Sequence, residues 1–171
     1  DDQLMEKYLE SGEVSTEEVV RCLRKGTIER RLVPAVCGSS VRNMGIQPLL
    51  DLAISCFPSP LERGSVKGKN SKTGELETRE PKDEAPFSAF VFKTIADPFA
   101  GRVSYFKVYT GVLKNDASLQ NSRTGGAERL AHIGCLMGKT TQPVTELHAG
   151  DIGAVAKLKE TLTGDTLCDK S

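Results

Sequence analysis

Tryptophan is absent from this sequence, and aromatic residues make up only 5% of it. Long apolar runs are missing too. No stretch approaches the ~20 apolar residues that cross a bilayer, and no basic start leads into a short apolar run as a secretory signal would. A membrane partner is therefore not expected. The five cysteines, Cys22, Cys37, Cys56, Cys135 and Cys168, form no C-x-x-C pair, which argues against a zinc or redox centre. Odd in number and scattered among apolar neighbours, they read as buried free thiols in a reducing compartment, so a cytoplasmic location is expected. Neither sign of charge is in excess, with 23 basic and 23 acidic residues. An initiator Met is also lacking before Asp1 and Asp2, and an excised piece of a longer chain is expected.

What is present is unevenly distributed. Pro98 to Lys139 holds six basic residues against two acidic, whereas Thr140 to Ser171 holds three against five. A neutral chain can thus offer one basic surface to a polyanion. Three segments follow one another. In the first, Leu4, Met5, Tyr8 and Leu9 recur at helical spacing, and Ser15 to Glu18 has the S-x-x-E form of a capping box before Val19, Val20 and Leu23. Arg31 to Gly38 reads as a short strand covered on both faces. Ile46, Leu49, Leu50, Ala53, Ile54 and Phe57 then mark one face of a helix, with Pro48 in its first turn. Helix–strand–helix is the tail of an α/β domain, because one strand cannot make a sheet.

Pro58-Ser59-Pro60 stops that helix. Leu61 to Pro86 is polar and reads as a mobile linker, with Thr73-Gly74 as a possible hairpin tip. From Phe87 the period falls to two. Strands are expected at 87–94, 103–110, 118–121, 129–136, 152–158 and 166–168, separated by turn signals such as Asp97-Pro98 and Thr163-Gly164-Asp165. That frequency of short strands predicts a closed antiparallel barrel. Phe87, Phe90, Phe92, Tyr105, Phe106 and Tyr109 are expected inside it rather than as a stacking platform for bases.

Several of these pieces resemble one family in its own order along nearly the whole chain. Val33-Pro34-Ala35-Val36-Cys37-Gly38-Ser39-Ser40 and Asn43 to Asp51 resemble the end of the GTPase domain of elongation factor G. Phe57 to Leu61, Asp97-Pro98-Phe99-Ala100-Gly101-Arg102, Tyr109 to Lys114, Ala149 to Ile152 and Thr163 to Asp169 are similar to later parts of that family. The resemblance implies an α+β chain in two parts: the C-terminal tail of an α/β P-loop GTPase domain (1–60), a linker (61–86) and an antiparallel translation-factor β-barrel, the second domain (87–171). It also implies that Ser39, Ser40 and Val41 are the guanine-binding loop of an incomplete site. The barrel would dock on small-subunit rRNA of the ribosome, with Arg123, Arg129, Lys139 and Arg102 as contacts to phosphate oxygens.

No G-x-x-x-x-G-K-[ST] loop, D-x-x-G or N-K-x-D stands in the sequence, so there is nothing to clamp a transferring phosphoryl group. No catalytic residue, cofactor or metal is expected in this piece. GTP and magnesium would belong to the intact parent, a translocating GTPase whose core and C-terminal domains are partners of this one. A ribosomal protection or release-type paralogue is the alternative of the same class. A cysteine-dependent enzyme is the alternative of another class, but His132 and Cys135 are three apart in an expected strand and would face opposite ways. His132 and His148 are expected to be structural.

Overall fold

The computed structural model describes residues 2–70, 73–138 and 140–169, which fall into two compact units, Asp1–Arg63 and Gly64–Ser171. The first unit is helical. Helix α1 spans Asp2–Ser11, α2 spans Thr16–Ile28 and α3 spans Ile46–Cys56. Ser15 caps α2 as its sequence predicts: its hydroxyl accepts from the Glu18 N–H, and the Glu18 carboxylate accepts from the Ser15 N–H at 2.9 Å. Lys7 reaches Glu18 at 2.7 Å and ties α1 to that cap. Arg24 donates to the Ser55 carbonyl at 2.7 Å and to Glu62 at 2.6 Å, so α2 holds both the end of α3 and the turn beyond it.

The strand expected at Arg31 to Gly38 is not formed. Residues 33–38 carry no ladder, and only Ser39 pairs with Met44 in an isolated bridge. A strand exists only through its neighbours' hydrogen bonds, and no strand lies among the described residues of this unit. Apolar side chains of this segment and of α3 are uncovered: Val33 is 91% exposed and Ile54 80%.

The second unit begins where a mobile linker is expected, and the structure corrects that expectation. Strands β1 (Val66–Lys69) and β2 (Leu76–Arg79) form an antiparallel hairpin. Gly74, at the expected tip, donates its N–H to the Asn70 carbonyl. Cross-strand pairing there outweighs the high density of charge.

The remaining strands are β3 (Ser88–Asp97), β4 (Gly101–Thr110), β5 (Leu113–Lys114), β6 (Ala117–Asn121), β7 (Ala127–Leu130), β8 (Gly134–Met137), β9 (Thr140–Pro143), β10 (Glu146–Leu147), β11 (Ile152–Ala156) and β12 (Thr166–Cys168). Eight of them form one curled antiparallel sheet in the order β7-β6-β12-β3-β4-β11-β8-β9. The ladder does not close between β7 and β9 among the described residues. Instead, the two-stranded β5–β10 ribbon contributes Leu113 and Leu147 to the same core as Phe87, Val91, Phe106, Leu130, Ile133 and Leu167. The single strand expected over 129–136 is two strands, because His132 takes a left-handed conformation at φ 57° between them. His132 is thus in a bend and not on a strand.

Alternation along β4 works as read: Ser104, Phe106, Val108 and Thr110 are buried. On β3, Phe87, just before the strand, together with Ala89 and Val91 fills the core. Phe92 follows the inward Val91 and lies outside, and a register shift between Val91 and Lys93 leaves Lys93 exposed beside it. Phe90, Phe92 and Tyr109 are exposed and Tyr105 is half-buried, which corrects the expectation that these aromatics line the interior. Gly111 closes the turn after β4 at φ 74°, where a Cβ would lie 2.7 Å from the Ala85 carbonyl oxygen and the Phe87 Cα.

Candidate functional site

The loop at Ser39, Ser40 and Val41 is a tight turn between residues 38 and 45. Ser39 and Met44 exchange both backbone hydrogen bonds, at 2.9 and 3.0 Å, and the Ser39 hydroxyl accepts from the Arg42 N–H at 3.4 Å. Gly45, at φ 78°, lets the chain pass from this turn into α3: a Cβ there would meet the Cys37 carbonyl at 2.8 Å. Ser39 is half-buried, while Val41 is 96% exposed. The turn therefore fixes Ser39 and presents the backbone of Ser40 and Val41 outward, with no acceptor for their N–H groups among the described residues.

The arginines expected at the barrel surface have unequal surroundings. Arg123 is bound into the barrel: its guanidinium meets Asp165 at 2.7 and 3.0 Å and donates to the Glu160 carbonyl at 3.0 Å. Arg102 donates to the carbonyls of Leu158 and Lys159 at 2.6 and 2.7 Å. Arg129, in contrast, is 72% exposed and meets only the half-exposed Asp116, at 3.1 Å. Lys139 lies outside the described residues.

Behind Arg123 and Arg102 stands a polar network that sequence reasoning missed. Glu128, on β7, is only 3% exposed. It accepts from the N–H groups of Lys159, Glu160 and Thr161 and from the Thr161 hydroxyl, at 2.8–3.0 Å. Burial pushes this carboxyl up, but those four donors more than offset it, and it sits below the usual carboxylate range. Asp165 accepts from Arg123, Asn121 and the Leu162 N–H. Foremost the Arg123 guanidinium, and with it Asn121 and the Leu162 N–H, hold it down to about 2 against the effect of burial. Two carboxylates thus organise the loop between β11 and β12. A signal existed in the sequence: Glu128 faces inward in the alternation of β7, where a carboxylate must find donors.

His148 is likewise better partnered than its sequence context suggests. Its Nδ1 lies 2.9 Å from Asp83 and its Nε2 3.6 Å from Glu146. The Asp83 hydrogen bond first, and the surrounding carboxylates next, raise its pKa above the ordinary histidine value. Cys135 packs partly buried against the core, away from any such arrangement. Among the described residues no cluster of His, Cys, Asp and Glu could hold a metal ion, and no helix is long and apolar enough to cross a membrane.

A barrel of this strand order, preceded by a helical unit with a serine loop before its last helix, defines a class of protein that known relatives specify. The family model for Elongation factor G domain 2 matches residues 86–170. Over 170 residues, 99% of the chain, the sequence is 45% identical to Elongation factor G from Aquifex pyrophilus. A crystal structure of a protein from Thermus thermophilus superposes over the whole chain with a TM-score of 0.75 and 34% identity. The chain belongs to the elongation factor G family. It spans 24% of the Aquifex protein and 23% of the Thermus chain.

Proposed function

We propose that this chain is a non-catalytic docking segment of a translocating elongation factor. Residues 1–60 are the end of its GTP-binding domain, residues 61–86 a connection and residues 87–171 its second domain, which lies on small-subunit rRNA in the cytoplasm. The observation that carries this reading is 45% identity across both segments to an elongation factor G. In the intact parent, GTP and magnesium supply the hydrolytic chemistry. Toward the guanine, Ser39 holds the loop, and the backbone of Ser40 and Val41 is the part that would meet the base. The outward N–H groups of that turn fit such a role. The phosphates would be held by residues outside this chain.

For rRNA the geometry ranks the arginines. Arg129 is a cation in solvent, suited to a phosphate oxygen. Arg123 and Arg102 act mainly by bracing the loop at 158–165, which sets the surface around them. Co-sedimentation with isolated small ribosomal subunits tests this. Binding should weaken with salt and weaken further in Arg129→Ala with the fold intact. Absence of binding at low salt would leave the affinity to the other domains of the parent and overturn the docking role of this piece.

A further inference from the structure

The outer face of the β3–β4 ribbon combines features that neither the core nor the rRNA-docking arginines use. The strand register places Thr166, Phe90, Lys107 and Ile152 side by side across β12, β3, β4 and β11. The next outward row is Lys93 beside Tyr105. Phe92, alternating with the inward Val91, adds a further ring on this side, 43% exposed, while Phe90 and Tyr109 are 37% and 36% exposed. Lys107 sits with its Nζ 5.8 Å from the centre of the Tyr109 ring, a cation–π distance. No carboxylate occurs in either row.

Exposed rings and lysines with no carboxylate in their own rows have few uses for a sheet face. An apolar partner would leave Lys93 and Lys107 desolvated and unpaired. A duplex offers phosphates but no unstacked base faces for the rings. A single strand supplies both, bases for the rings and phosphates for the ammonium groups. The face also runs into a cleft of about 420 Å³ lined by Phe90, Tyr109, Gln120 and Ser122 and by Arg79 and Glu77, which pair with each other at 3.0 Å. Asp169, also on its wall, accepts from the Phe87 N–H at 2.7 Å. That volume suits one nucleotide, with the Gln120 amide and the Ser122 hydroxyl to read its edge.

We propose that the outer face of β3–β4 binds single-stranded RNA. Bases stack on Phe90 and Phe92, phosphates lie along Lys93 and Lys107, and one nucleotide enters the cleft under the hairpin. This goes beyond the docking of the barrel's arginines, which requires only backbone contacts, and it stands whether or not that docking occurs.

Fluorescence anisotropy of the 171-residue chain with a short labelled oligoadenylate, and with an RNA duplex of the same length, tests it. The single strand should bind at least about tenfold more tightly. Phe92→Leu, which keeps an apolar side chain at an exposed position, should weaken binding by about tenfold, as loss of one stacked base does. Lys107→Gln should lower the log–log salt slope by about 0.7. Arg129→Ala should leave oligoadenylate binding unchanged, which separates this face from the docking surface. Equal affinity for the duplex, indifference to Phe92→Leu, or full competition by an oligoglutamate peptide would each overturn the proposal.

Discussion

Arg123 and Asp165 form a two-contact ion pair, at 2.7 and 3.0 Å, in which the carboxylate is almost fully buried and the guanidinium half exposed. The same carboxylate accepts from Asn121 and the Leu162 N–H, so it is saturated. Removing it leaves the arginine with the Glu160 carbonyl, the buried Asn121 amide with the Thr161 hydroxyl at 3.3 Å, and the Leu162 N–H without its acceptor. Asp165→Ala should therefore cost about 3–5 kcal/mol, the scale for breaking a buried charged network from one side. Arg123→Ala should cost less, because Asn121 and Leu162 still serve Asp165. Urea unfolding of the two variants measures both, and a larger loss for Arg123→Ala would contradict the assignment.

Acid should unfold the barrel along a defined course. Asp165 is held at about 2 against an ordinary 3.8, and Glu128 is depressed in the same direction. A carboxyl depressed by folding contributes stability that is full above its unfolded pKa and is lost as pH falls through its folded pKa. For Asp165 that window runs from about 4 down to about 2, and its contribution is roughly 2 kcal/mol. Denaturant midpoints taken across that window should fall in the native chain and stay flatter in Asp165→Asn.

Ser104 presents the opposite case. Its hydroxyl is the only buried side-chain oxygen or nitrogen without a hydrogen-bond partner among the described residues. Ser104→Ala removes a desolvated group while leaving the backbone ladder in place. It should be neutral or stabilising by up to about 1 kcal/mol. A clear drop in melting temperature would show that the hydroxyl has a partner in solution.

The His148–Asp83 contact predicts a titration. Because Asp83 raises the His148 pKa, Asp83→Asn should bring it back toward the ordinary value. NMR titration of the imidazole C–H resonances reads this directly. The contact, being exposed, strengthens below the unfolded histidine pKa and fades as pH rises through the raised one.

Gly111→Ala should be among the most disruptive single-methyl additions. The new Cβ would overlap the Ala85 carbonyl and Phe87 Cα, both backbone, at a left-handed φ. Neither obstacle can rotate away. A loss beyond about 2 kcal/mol is expected, and thermal unfolding would register it.

Local signals carried far in this chain. The capping box at Ser15 and Glu18, the helix α3 and the β4 alternation are contained in neighbouring residues, and all three appear in the structure, although the apolar side chains of α3 at Leu49, Leu50 and Ile54 are exposed. What failed depends on partners distant in sequence. Arg31 to Gly38 has the composition of a strand but no strand beside it. The 61–86 stretch has the composition of a linker, yet Val66 finds Arg79 across the hairpin. Phe90 and Phe92 are apolar but outward, since they alternate with Ala89 and Val91, which take the core side. The arginines were legible as basic residues. Their division into braces and a more exposed cation was not, because it depends on carbonyls at 158–160 that no side-chain pattern encodes.

The loop held by Glu128 and Asp165 has no regular secondary structure over 157–165, yet the amides of residues 159 to 162 all donate to those two carboxylates. Such a segment should behave in deuterium exchange like the interior of a sheet and resist proteolytic nicking. Force applied at its exposed side would pass into β7 and β12 instead of being absorbed by the loop. An irregular stretch of backbone here serves as a stiff strut.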